Sequence, residues 1–453
     1  MVTYREHIRA LTVLGVPIVI GQLGTIAQGF ADTIMVGQYG TPELSAAGFV
    51  NNVFNLVFFL LLGFSYSTTP IVGSYFGRRQ LDDVGRTLKE SLLANLMACL
   101  VVMLLMWLLY RRLDLLRQPT ELMPLIRPYF LIILASLPFI SAFNALKQFC
   151  DGVGDTRTPM WLMLAGNVFN ILANYFLIFG FSPCHVQAMG LNGAGIATLA
   201  SRVFMFVVLA CVVFFSRRYV VFHNGFGKRM TRLGIFHLTK VGLPIGLQLS
   251  MEAASFNITA VMMGWLGAAA LAAHQVMCTI GSLNFMFFYG IGAAATIRMS
   301  HFRGVAQAVH MPASDRADAW REVRRTAFAA FGMAVGSAVL LSAFIFLLRT
   351  PLAYCFTSSA EVVTLVVSLM VPFMLYQLGD STQIVFSNAL RAIEDVKPLV
   401  WFAFVAYVCV SIPASYLFAF PLGYGAVGIW YGFPLGLSTA GLLFLLRFHG
   451  RTR

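Results

Sequence analysis

Long apolar stretches separated by short polar breaks set the pattern of this chain from end to end. Runs near 8–31, 46–73, 91–110, 125–148, 160–181, 193–215, 237–260, 270–297, 327–348, 362–390, 399–419 and 426–446 each reach about twenty residues, the length that carries a helix across roughly 30 Å of hydrocarbon. Strands of a membrane barrel would instead show apolar and polar residues alternating over about ten positions. The pattern therefore predicts twelve membrane-spanning helices, since a spanning segment must satisfy its own backbone hydrogen bonds.

The polar breaks predict an orientation. Basic residues collect after even-numbered runs: Arg78, Arg79, Arg86 and Lys89, then Arg157, then Arg217, Arg218, Lys228, Arg229 and Arg232, then Arg303, Arg316, Arg321, Arg324 and Arg325, then Lys397. The breaks after the first, fifth, seventh and eleventh runs carry no Lys or Arg. The positive-inside rule places the even breaks and both termini in the cytoplasm, although Arg111, Arg112, Arg117 and Arg127 run against the trend.

An internal repeat adds the domain plan. A shift of 227 positions lays Gly15-Val-Pro17-Ile18 on Gly242-Leu-Pro244-Ile245, and Met35-x-Gly37-x-x-Gly40 on Met262-x-Gly264-x-x-Gly267. The same shift pairs Gly63 with Gly290, Thr69 with Thr296 and Gly77 with Gly304. The chain reads as two six-helix halves in the same orientation, related by an axis along the membrane normal and facing each other across a cleft. The expected division is an N-lobe over 1–215, a cytoplasmic linker over 216–236 and a C-lobe over 237–453.

Composition narrows the class. Of 453 residues, 59% are hydrophobic and 11% charged, too little polar surface for a water-soluble globule. The net charge of +13 lies in clusters between apolar runs, which suits anionic lipid and not nucleic acid. The N-terminal run is too long for a signal h-region and is expected to remain as the first span. Cys99, Cys150, Cys184, Cys211, Cys278, Cys355 and Cys409 form no CxxC and are expected as small packing residues. With no HExxH, GxSxG or His/Cys cluster, no enzyme is indicated.

Candidate chemistry lies in the acids. Of 18 Asp and Glu residues, only Asp32, at the end of the first apolar run, and Glu252 and Asp380, inside theirs, are set in apolar sequence. A carboxylate at that depth costs about 2.5 to 3.5 kcal/mol on an insertion scale. Tyr376 lies one turn before Asp380, and Phe256 one turn after Glu252. A desolvated carboxylate beside an aromatic face suits a metal ion or an organic amine, and equally suits proton exchange; sequence leaves these open. Fixed ion pairs with Lys147, Arg202, Lys240 or Arg391 are the structural alternative. Asn167, Asn170 and Asn174 give the fifth run a polar face, which Thr198 can join, as helix-to-helix glue or as lining for Asp32. His274 is expected to be a packing residue.

Several stretches resemble those of the MATE transporters, the multidrug and toxic compound extrusion family. They include Pro17-Ile-Val-Ile-Gly-Gln22, Ala31-Asp32-Thr33-Ile-Met35-Val-Gly37, Gly152-x-Gly154-Asp155-Thr-Arg-Thr-Pro159, Asn170-x-x-x-Asn174-Tyr175, Gly193-Ala-Gly-Ile-Ala-Thr198, Leu271-Ala-Ala-His-Gln275 and Asn388-Ala-Leu-Arg391. The resemblance covers essentially the whole chain and implies an all-α polytopic membrane protein of the MATE fold, with twelve transmembrane helices in two pseudo-symmetric bundles. Glu252, Asp380, Tyr376 and Phe256 resemble the C-lobe cation site of the NorM-type branch; the resemblance places Asp32 with them among the cation-coupling residues and makes Gln22, Asn170, Asn174 and Thr198 the N-lobe polar cavity. It implies a monomeric antiporter of the cell inner membrane that exports amphipathic or cationic drugs against Na+ or H+, with drug and ion competing for overlapping carboxylates. Glu252 and Asp380 would hold Na+ if coupling is to sodium. It implies no cofactor and no nucleic-acid partner. The alternative function is a lipid-linked precursor or oligosaccharide flippase of the same superfamily, which calls for a strongly cationic cavity.

Overall fold

A computed structural model describes residues 3–116, 119–180, 187–308 and 311–452, and among these the chain is helical with no strand. Cys184 and Arg117 lie outside the described residues. Each apolar run becomes part of one long helix. They are α1 (Tyr4–Tyr39), α2 (Thr41–Gly77, interrupted at Tyr66 and Ser67), α3 (Leu81–Tyr110), α4 (Met123–Gly152), α5 (Arg157–Phe179) and α6 (Gly190–Phe215). The second half supplies α7 (Arg232–Trp265), α8 (Ala268–Ala306), α9 (Ala313–Leu347), α10 (Ala360–Ser368 and Met370–Ala392, bent by 46°), α11 (Lys397–Ala419) and α12 (Gly425–Thr452).

Ten of these helices are long and apolar enough to cross a bilayer, and the bent pair α10 makes an eleventh. The remaining helix, α7, is 34 residues long, and Gln248, Glu252 and Asn257 dilute its hydropathy. Large apolar side chains such as Leu100, Leu104, Leu340 and Phe344 stand exposed, as expected where the solvent is lipid. The turn from α7 to α8 takes two residues and passes through Gly267 at φ +118°, a backbone region closed to most side chains.

Packing groups the chain into two compact units, Ile20–Gly246 and Met1–Val19 with Leu247–Arg453. Both boundaries fall inside a helix, so α1 and α7 each contribute to both units. The repeat glycines explain the grouping. In the Leu247–Arg453 unit α1 crosses α8 at Gly15, where an added methyl would stand 3.1 Å from the Gly290 carbonyl oxygen. In the Ile20–Gly246 unit α7 crosses α2, and a methyl on Gly63 would come within 2.7 Å of the Gly246 Cα and one on Gly242 within 2.6 Å of the Phe64 carbonyl oxygen. Without a hydrophobic drive between helices in lipid, small residues that let backbones approach hold such crossings together.

Polar contacts fasten the start of each of these two helices within the same unit. His7, fully buried in α1, meets Glu322 at 2.9 Å, Thr326 at 3.1 Å and the Arg298 Nε at 3.2 Å. At the start of α7, the backbone N–H and hydroxyl of Thr231 donate to Glu90 Oε1 at 2.7 and 2.8 Å, and Thr231 Oγ1 accepts from the Gly234 N–H at 3.0 Å. The stretch before it, Arg217–Gly227, is itself helical, and Lys228 pairs with Asp82 at 3.0 Å.

Candidate functional site

Glu252 on α7 and Asp380 on α10 come together in the Leu247–Arg453 unit, close enough to act on each other electrostatically. Asp380 is 2% exposed; Tyr376, on the same face of α10, reaches its carboxylate, yet Asp380 Oδ2 finds no hydrogen-bond partner among the described residues. Gln383 Nε2 donates to Glu252 Oε2 at 3.1 Å and to the Tyr407 hydroxyl at 3.0 Å. Tyr407 also reaches Glu252, and it is presented by a π-helical stretch, Phe404–Ser411, in α11. Such stretches add a residue to the helical turn and recur at functional sites. Gln377, one turn before Asp380 on α10, has both polar atoms buried, and Gln383 its Oε1, with no hydrogen-bond partner among the described residues.

Aromatic rings close this site on one side. Phe256 stacks on Phe433 with centroids 4.6 Å apart, and Tyr376 stands edge-on to Phe256 at 6.3 Å and to Trp430 at 6.1 Å. His274 packs against Trp430 at 5.6 Å, with Nε2 3.5 Å from Cys278 Sγ, as a packing residue would.

Asp32 sits in the other unit. Its Oδ1 accepts from Asn174 at 2.5 Å and its Oδ2 from Gln28 at 3.3 Å, while Asn174 also donates to Asn170 Oδ1 at 3.1 Å. Asn170 and Asn174 are fully buried, Asn174 bonding Asp32 directly and Asn170 bonding Asn174. In front lies a cavity of about 400 Å³ lined by Asp32, Gln28, Thr198, Asn51, Tyr129 and Arg202, with Phe54, Phe58, Ile133 and Leu137 as its apolar wall. That volume is in the range of drug-sized pockets. Gln22 neither lines this cavity nor bonds to Asp32, and Gln28, one turn before the acid, takes that place. Asp32 lies ten positions after Gln22, about 15 Å along a helix axis.

Among the described residues none of the three acids forms an ion pair. Of the four bases that could have neutralised them, Lys147 pairs with Asp151 at 2.7 Å, while Arg202 and Arg391 hydrogen-bond neutral side chains, Ser136 at 2.6 Å and Gln248 at 2.9 Å. Arg391 still acts on Glu252 through its field. No group of three or more His, Cys, Asp and Glu side chains is placed to hold a metal among the described residues, so any cation at Glu252 and Asp380 depends on amide and hydroxyl oxygens as well. Gln377, Gln383 and Tyr407 were not singled out from sequence, because amides and hydroxyls within apolar runs serve packing as often as chemistry.

Comparison with known proteins gives a consistent result. The family model described as MatE matches residues 17–176 and 244–417, two segments that open on Pro17 and its repeat partner Pro244. The chain is 28% identical to multidrug resistance protein MdtK of Proteus mirabilis (strain HI4320), over 98% of this chain and 95% of that one. It is 28% identical to multidrug resistance protein PmpM of Pseudomonas aeruginosa, over 98% and 91% respectively. The Vibrio cholerae MATE transporter VcmN in its bent form superposes with a TM-score of 0.85 at 19% identity, covering 99% of this chain and 98% of that one. A MOP superfamily transporter from Pyrococcus furiosus gives 0.84 at 20% identity, over 98% and 96%. At such identity the structural likeness speaks for the fold, and the match of the family model to both halves speaks for descent: the chain belongs to the MatE family, the multidrug and toxic compound extrusion transporters.

Proposed function

We propose that this protein is a secondary active antiporter that exports amphipathic, cationic compounds in exchange for Na+ or H+. As a family member it is a multi-pass membrane transporter and not an enzyme, and multidrug efflux is the activity its relatives' names carry. The observation that supports antiport most directly is Asp380: a buried carboxylate with one oxygen unpartnered, beside Glu252, with no base bound to either. Two carboxylates with the free amide oxygens of Gln377 and Gln383 make an oxygen-rich set of the kind hard cations prefer, which favours sodium of the two ions.

In this reading the coupling ion binds at Glu252, Asp380 and Tyr376, with Phe256 shielding it, while the drug occupies the Asp32 cavity lined by Thr198. Ion binding stabilises the inward-open state and drug binding the return, so the fluxes couple through differential affinity for two states. The lobes 1–215 and 237–453 are the moving bodies, 216–236 joins them, and both termini face the cytoplasm. A lipid-linked precursor flippase draws no support from the Asp32 cavity, whose lining offers Arg202 as its one base among the described residues.

The test is efflux of a fluorescent cation from proteoliposomes with sodium and pH gradients imposed separately. Efflux driven by the sodium gradient alone supports the favoured ion, and efflux driven by the pH gradient alone assigns the proton. A flux indifferent to both gradients contradicts antiport.

A further inference from the structure

The cavity in front of Asp32 carries a second, opposite charge. Arg202 stands midway along α6 and lines the cavity with Asp32. A guanidinium at that depth is costly to insert and is not relieved by losing its proton, so its place there needs a counterpart. What holds it accounts for little of its capacity. Nη1 donates to Ser136 Oγ at 2.6 Å and the guanidinium lies over the Phe58 ring at 5.7 Å, but among the described residues it forms no ion pair. A guanidinium has five N–H donors in a planar fork that matches a carboxylate, and most of them here make no bond among the described residues.

Asp32 is not that counterpart. Its oxygens are held by Asn174 and Gln28, and Arg202 acts on it only through space. One wall thus fixes an anion on α1, another fixes a cation on α6, and Phe54, Phe58, Ile133 and Leu137 form the apolar surface of the same cavity. A site for cations alone would gain nothing from a positive charge in its lining, since like charges repel across a low-dielectric pocket.

We propose that Arg202 is a carboxylate-binding residue and that this cavity takes zwitterionic amphiphiles, in which an amine and a carboxylate are carried on one apolar frame. The amine faces Asp32 and the carboxylate takes the free edge of the guanidinium, while Ser136 holds the fork in position. This deepens the transport reading above, on which it rests for the cavity being a substrate site. It makes Arg202 the residue that separates zwitterions from plain cations.

The test compares rhodamine B, whose carboxylate is free, with its ethyl ester, which keeps the cation and frame and lacks the anion. Equilibrium binding is measured by fluorescence on the purified full-length protein in a maltoside detergent, without any gradient. Arg202→Gln shifts the ratio of the two dissociation constants toward the ester by tenfold or more. Arg202→Lys, which keeps the charge and loses the fork, gives an intermediate ratio and carries the test if the Gln variant does not assemble. A ratio equal to that of the wild type in the variant measured overturns the proposal, whether the two affinities hold or fall together. So does failure of the wild-type protein to bind either dye. Because no gradient is involved, loss of coupled efflux in vesicles with the ratio shift intact counts against antiport and leaves Arg202 in its role.

Discussion

Glu252 is held by Gln383 and Tyr407, from two different helices, and these contacts decide how its carboxylate is presented to an ion. A hydrogen bond to a charged group contributes about 1.5 to 3 kcal/mol. Tyr407→Phe is therefore expected to raise the half-saturating concentration of the coupling ion by about tenfold or more, with maximal efflux largely kept. An unchanged ion titration would show that the hydroxyl only packs. On the other side, Asn174→Ala removes a donor from Asp32, and dye binding in the adjoining cavity is expected to weaken by about tenfold or more, the worth of one hydrogen bond to a charged group. Affinity equal to that of the wild type would take Asn174 out of the site. The acids themselves were legible in the sequence because charge inside an apolar run is rare. Their partners were not, since a glutamine or tyrosine in such a run is common, and only the fold shows that Gln383 faces α7 or that a π stretch turns Tyr407 inward. Gln22 and Gln28 show the same limit: both lie on α1, and the phase and distance of each relative to Asp32 decide which one counts.

The helices themselves were largely legible, since each apolar run became one, while their irregularities were not. The bend in α10 falls at Leu369 inside a continuous apolar run. The π stretch of α11 runs just ahead of Pro413, whose missing N–H leaves the carbonyl of Cys409 without its usual helical donor. The repeat marked Gly15 with Gly242 and Gly63 with Gly290 as corresponding positions; that they form two equivalent crossings, α1 on α8 and α7 on α2, emerges only from packing. Gly63→Val is expected to force α2 off Gly246 at a cost of about 1 to 3 kcal/mol, seen as a lowered unfolding midpoint in scanning fluorimetry. A midpoint at the wild-type value would mean that the crossing has room for the added side chain. Glu90→Ala strips the start of α7 of its acceptor for Thr231, and a further loss of about 1 to 2 kcal/mol is expected by the same assay. Glu90→Gln, which keeps an acceptor, is expected to lose less.

For the molecule as a whole, the acids are divided between units: Asp32 in Ile20–Gly246, and Glu252 with Asp380 in the unit built on Leu247–Arg453. Sequence alone had drug and ion meeting on overlapping carboxylates. With a cavity at Asp32 and an oxygen-rich site at Asp380, coupling in the proposed cycle runs through the conformational equilibrium. One charge crossing 100 mV supplies about 2.3 kcal/mol, enough for a concentration ratio of about 50-fold per ion. Two halves of equivalent topology, each with its own acidic site, need not share a ligand to share a cycle. The most direct measurement is gradient-driven efflux of a preloaded cationic dye from proteoliposomes holding equal amounts of wild type, Glu252→Gln or Asp380→Asn. The wild type is expected to empty the vesicles when the gradient is imposed, and each variant to lose tenfold or more of that gradient-dependent rate. Undiminished gradient-driven efflux in both variants would contradict the account.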